Sequence, residues 1–341
     1  MQPQLTLEAL RALRTSPPGN TNWDLALESL VQEIERPGSP ESEIMKGLHA
    51  YAREQVQRNM EKIRANVEAQ GLDAIDLDWP GNGYNEAAYG GQFEVLSLLE
   101  GAGVWRVGKI MGASGGASST VLALADNQSS GHEVLLYNIA YVKAKISAVG
   151  QILKATDFWS AVYRRALMPE SAFSRVKNRS YVVCARRQVL PSFLPNTAFS
   201  NYSTREQAVA AAFASGDASV HGALVGTAIP GLERAGSFLD GGQPTHFPDS
   251  RAALLWFNAF FGFTVSTTVP GVAESFRGGV DQTVRALTSP GLDVPTVNGV
   301  GGVHVVRPGP SGGVTAAEFG AIPALYGFEA KPDTHFWDVG A

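Results

Sequence analysis

From about Asp73 onward the chain consists of short apolar runs that stop in clusters of glycine. AIDLDW leads into GNGYN, GVWRVGKIM into GASGG, and GSFLD into a Gly-Gly pair, with SYVVCA and HGALVG between them. Short apolar runs bounded by glycine read as buried strands. Helix-like segments, Gly90–Leu99 and Ser118–Leu167, separate the first three runs. Alternation of this kind implies an α/β fold: a mostly parallel central sheet covered on both faces, in three α/β/α layers, over residues 71–341. In such sheets sites form at the carboxyl ends of strands, and all three glycine clusters read as strand ends.

Residues 1–70 differ in character. Apolar positions recur at helical spacing in Leu5, Leu7, Leu10 and Leu13, in Leu27, Leu30, Val31 and Ile34, and in Val56, Met60, Ile63 and Val67. Breaks fall at Pro17-Pro18-Gly19 and Pro37-Gly38, with Ser39 or Ser42 available to cap the third helix. The pattern predicts a helical N-terminal segment packing on the main domain, with docking to a partner or membrane as its alternative use.

The balance of charge narrows the partners. A formal net charge of −5 argues against nucleic acid as a bulk electrostatic partner. The single cysteine, Cys184, has no internal disulfide partner and reads as a small buried hydrophobe. His49, His132, His221, His246, His304 and His335 show no metal-ligand spacing, so neither a metal nor a cofactor is predicted. No secretory leader is read at the amino terminus. The longest apolar run, Ala252–Val265, is interrupted by Asn258 and falls short of the roughly 20 residues a transmembrane helix needs. A cytoplasmic or peripheral-membrane protein is expected.

In GASGG, Ser114 stands among residues without bulk, as a nucleophile on a sharp strand-to-helix turn requires. The helix expected after it would aim its N–H groups at developing negative charge. GPSGG at Gly309–Gly313 fits the same Gly-x-Ser-x-Gly pattern, but Pro308 and Pro310 constrain the backbone beside Ser311. Upstream, DWPGNG at Asp78–Gly83 can expose consecutive N–H groups as an anion cradle. Downstream, Asp240 precedes Gly241 and Gly242 and could take a proton from a serine on a neighbouring loop. Each motif alone also has an ordinary reading as a turn.

Taken in order, the glycine-rich loop, GASGG, the Thr227–Pro230 segment TAIP and LDGG resemble the patatin-like phospholipase family, related to the catalytic domain of cytosolic phospholipases. The resemblance spans about Asp73 to Pro248. It implies a patatin-like α/β fold and a serine acyl hydrolase of lipid esters: phospholipid, lysophospholipid or neutral glycerolipid. Ser114 would be the nucleophile and Asp240 its base, with Gly81, Asn82, Gly83 and Gly115 supplying oxyanion N–H groups. The family's order, serine before aspartate, excludes Ser311. Peripheral contact with a membrane or lipid droplet belongs to the same expectation. An acyltransferase using the same dyad, and a non-catalytic lipid-binding protein on the same fold, are the alternatives.

Three departures stand out. Asn82 replaces the middle glycine of the family's loop, and Asn85 and Glu86 stand where relatives often carry an arginine. The missing arginine favours a neutral or lyso-lipid over a phosphate-bearing one. His246 takes the place of an asparagine beyond the Asp-Gly-Gly. The aromatic run Leu254–Phe263 reads either as a buried core helix or as the lining of an acyl channel.

Overall fold

The computed structural model describes residues 22–71, 74–81, 85–126, 130–144, 152–186, 196–216, 226–232, 234, 236–241, 253–258, 267–289, 302–306 and 334–338. In order the elements are α1 (Trp23–Glu35), α2 (Pro40–Gln70), β1 (Ala74–Trp79), α3 (Glu86–Gly101), β2 (Arg106–Ala113), α4 (Gly115–Ala125), α5 (His132–Ala144), α6 (Ile152–Ala166), α7 (Glu170–Arg179), β3 (Ser180–Arg186), β4 (Asn196–Ser200) and α8 (Arg205–Gly216). They continue with β5 (Thr227–Ala228), β6 (Ser237–Asp240), β7 (Ala253–Asn258), α9 (Val269–Thr288), β8 (Gly302–Val306) and β9 (Thr334–Asp338).

The fold is α/β around one mixed sheet. Its centre, β3-β2-β1-β7, is parallel throughout, whereas β4, β6 and β8 add antiparallel pairings. Along β1, β2 and β3 both faces carry buried residues. Ile75, Leu77, Trp79, Ile110 and Val182 join the main apolar core beneath the helices. Their alternates Met111, Ala113 and Val183 point to the opposite face and are equally buried. Trp79 anchors the helical side: its ring stacks on Tyr89 at 5.0 Å, meets Phe93 edge-on, and its N–H donates to Gln92. Burying a side chain of this size contributes about 2 to 3 kcal/mol.

The N-terminal helices pack on this body. In α1, Trp23, Leu27, Leu30, Val31 and Ile34 are buried, and α2 is capped by Ser39, whose hydroxyl accepts from Ser42 N–H and donates to the Ile34 carbonyl. Polar contacts ring the seam. Lys143 of α5 reaches Glu33 and Glu41, Arg165 of α6 reaches Glu28, and His132 of α5 reaches Glu35. Residues 5–13 lie outside the described residues.

Two expectations change. The segment Ser118–Leu167 is not one helical stretch; α4, α5 and α6 share it, α4 ending at Ala125 and α5 starting at His132. The apolar run from Leu254 begins as a strand, β7, parallel to β1, rather than as a core helix. Short apolar runs do not distinguish the two by periodicity, and the aromatic content of LLWF favours the pleated surface. Among the described residues no helix is long and apolar enough to cross a membrane.

Candidate active site

The site forms where β2 leaves the sheet, and the register explains why it leaves there. Val182 and Val183 pair with β2 on one side and with β4 on the other. Cys184 and Ala185 pair with β4 and with β6. Because β4 occupies one edge throughout, β2 and β6 share the other edge of β3, end to end. Ala113 sits level with Val183 and Asp240 level with Cys184, one residue further on. One level is about 3.3 Å. Had β2 run straight, Ser114 would have entered the place Asp240 holds; both chains must turn away.

Ser114 makes that turn with φ 54° and ψ −128°, one of two non-glycine residues with positive φ among those described. L-residues occupy this region at a cost of about 1 to 3 kcal/mol, sustained only where surroundings enforce it. The glycines around it are sterically required. A methyl on Gly112 would stand 2.3 Å from the Gly116 carbonyl oxygen, and one on Gly116 would stand 1.9 Å from the Trp79 oxygen. Helix α4 therefore starts directly against β2 and the end of β1. Its first turn has Ala117 and Ser118 donating to the Ser114 carbonyl, which leaves the Gly115 N–H before the first intrahelical bond.

The amide of Ser114 points inward. It donates to Oγ of Ser215 at 3.0 Å, and that hydroxyl donates to the Val183 carbonyl at 2.6 Å. Ser215, fully buried near the end of α8, bridges β2 to β3 where the ladder between them stops. No sequence signal marks it, since it lies in a run of alanines and small residues. Cys184 lies beneath the same point: burial first, and then the charge of Asp240, push its thiol well above the usual range. Ser114 and Asp240 are half-buried.

Gly81 follows from β1. Trp79 pairs with Gly112, and the carbonyls of Trp79 and Pro80 lie against Gly116, so Gly81 leaves β1 beside the start of α4. Tyr89 holds the strand end by donating its hydroxyl to the Pro80 carbonyl at 2.6 Å. The registers thus bring Ser114, with Gly115 after it, next to Asp240, 126 residues further along the chain, while Gly81 follows the end of the neighbouring strand β1. Asn82, Gly83, His246 and Ser311 lie outside the described residues.

The strand ends do not all face one way. β6 runs antiparallel to β3, so Asp240 enters from the opposite direction to the carboxyl ends of β1 and β2, and register rather than strand polarity brings it to Ser114. Glu86 also lies elsewhere than its place after the glycine loop suggests. It is buried in the first turn of α3 among Ser118 and Asn138, and burial raises its carboxyl to about 8 against the pull of those side chains. Glu86 is thus largely neutral at pH 7.

Asp78, in β1, is fully buried with no hydrogen-bond partner on either oxygen, and burial raises its pKa well above the usual range. Among the described residues no group of three or more His, Cys, Asp or Glu could hold a metal ion. No family model, no curated protein and no solved structure matches the chain.

Proposed function

We propose that the protein is a serine acyl hydrolase acting on lipid carboxylic esters, with Ser114 as nucleophile and Asp240 as its base, on a patatin-like three-layer fold. The observation that carries this reading is the backbone of Ser114, held at φ 54° between a parallel strand and a helix, with Asp240 one register level beyond Ala113. A strained serine at such a turn presents its hydroxyl clear of the sheet.

In the proposed reaction Ser114 Oγ attacks the ester carbonyl carbon while its proton passes to the Asp240 carboxylate. The Gly115 N–H and the backbone around Gly81 stabilise the oxyanion, each good donor contributing about 3 kcal/mol in the transition state. The alcohol departs with the proton from Asp240. Water then adds to the acyl carbon, giving a proton to Asp240, and as the bond from that carbon to Ser114 Oγ breaks Asp240 returns the proton to Oγ, releasing the fatty acid and restoring the dyad. With Glu86 buried and largely neutral, it adds no charge against a headgroup, so substrate selection rests on other residues.

The test is labelling by a fluorophosphonate probe together with turnover of a lipid-ester panel. Wild type labels and turns over; Ser114→Ala and Asp240→Asn lose both while remaining folded. Folded wild type that neither labels nor hydrolyses any member of the panel refutes the reading and leaves a non-catalytic lipid-binding protein.

A further inference from the structure

We propose that Ser215 is a positioning residue that locks the nucleophile turn by standing in for the missing rung between β2 and β3. This rests on the acyl hydrolase reading of the same site. Ser114 could relax to negative φ through a flip of the Ala113–Ser114 peptide plane, and such a flip would turn its N–H away from the sheet. The hydrogen bond from that N–H to Ser215 Oγ opposes the flip. Ser215 is itself held in place: its hydroxyl donates to the Val183 carbonyl and lies beside the Cys184 thiol, and the side chain is fully buried.

Val183 is a rigid reference, paired with Ala113 on one side and Ala198 on the other. One hydroxyl therefore ties the turn to β3 from the end of α8. It also fixes a division of labour among amides: the Ser114 N–H faces the protein interior and is spent, so Gly115 is the donor of the turn that remains for an oxyanion. Alanine at 215 would leave the Ser114 N–H and the Val183 carbonyl without this partner, whereas threonine would keep the bridge.

The proposal makes Ser215 act on the reactivity of Ser114 rather than on substrate binding. Ser215→Ala is expected to lower the maximal rate of fluorophosphonate inactivation and kcat by about 100-fold, the scale of a 1 Å misplacement, with KM within about twofold. Ser215→Thr should stay within about threefold of wild type in both constants. Amide hydrogen exchange reports the bridge without catalysis: at Ser114 it should accelerate at least about tenfold in Ser215→Ala, at Ala123 stay unchanged, and in Ser215→Thr remain slow.

Unchanged exchange at Ser114 in Ser215→Ala, or a wild-type inactivation rate in that variant, overturns the proposal. So does a loss in Ser215→Ala carried by KM alone. If wild type itself neither labels nor turns over, the hydrolase reading falls, and the exchange of the Ser114 amide alone then decides whether Ser215 holds the turn.

Discussion

Gly116 passes so close to Trp79 that a methyl group on it would stand 1.9 Å from the Trp79 carbonyl oxygen and 2.8 Å from that of Pro80. The contact is backbone against backbone, so no rotamer change can relieve it. Gly116→Ala is expected to destabilise the fold by about 3 kcal/mol and to abolish probe labelling of whatever protein remains folded. Gly47, in α2, has open space around its α-carbon. Gly47→Ala should be neutral or stabilise by up to about 1 kcal/mol through helix propensity. Urea denaturation of the two variants beside wild type checks both.

Glu86 gives the fold a pH dependence of unusual sign for a carboxylate. Its folded pKa, about 8, lies above the ordinary 4.5 because of burial, so the folded state holds the proton more tightly than the unfolded chain. Stability from this group is thus complete below about pH 4.5 and falls as pH rises towards 8. Glu86→Gln should remove that fall and stabilise the protein at pH 8 by on the order of 2 kcal/mol, with little gain at pH 4.5. Denaturation midpoints of both proteins at the two pH values measure it.

His49 and His132 stack with ring nitrogens 3.3 Å apart, and their other nitrogens meet Glu94 at 2.9 Å and Glu35 at 3.1 Å. Burial pulls the His132 pKa down, but the hydrogen bond to Glu35 and the charges of Asp126 and Glu133 outweigh it, leaving it above the ordinary 6.5. This contribution is complete below pH 6.5 and lost as pH rises through the folded value. Glu35, held below 4.5 chiefly by the His132 hydrogen bond, loses its share on the acid side. As pH rises from 6 to 8 wild type should therefore lose stability that His132→Gln does not lose, as read by urea denaturation.

Cys184 is fully buried, and both burial and the Asp240 charge disfavour its thiolate. The thiolate is the reactive form. A disulfide reagent such as dithiobis-nitrobenzoate should leave native protein unmodified and titrate one thiol per chain in denaturant. Native-state modification at a rate near that of the unfolded chain contradicts the packing beneath the site.

The parts of this arrangement governed by neighbouring residues are readable in the sequence. AIDLDW, GVWRVGKIM, SYVVCA and GSFLD each contain or overlap a strand, and Ser39 caps the long helix after Pro37-Gly38. Parts set by register over long separations are not. Nothing in SFLD reveals that β6 runs antiparallel and shares an edge with β2, because pairing partners 56 residues apart, Cys184 and Asp240, choose each other only in the folded sheet. Ser215 lies 101 residues from the amide it binds, and His49 lies 83 from His132. Glu86 misleads for the same reason: its place after a glycine loop suggests the mouth of a site, while the first turn of α3 carries it into the core.

The end-to-end meeting of β2 and β6 on one edge of β3 has a consequence for how this protein tolerates change in length. Loops can gain residues at little cost. The ends of these two strands cannot. Side chains alternate faces along a strand, so one residue added within Ser237–Asp240 would send the carboxylate to the far side of the sheet, and one removed between Ile110 and Ala113, beyond the irregularity that β2 carries between Val107 and Ile110, would draw the serine out of its corner. Substitutions at apolar positions such as Ile110 or Phe238 can be absorbed by repacking, as one at Gly112 cannot, whereas a change of length at these strand ends moves Ser114 and Asp240 apart.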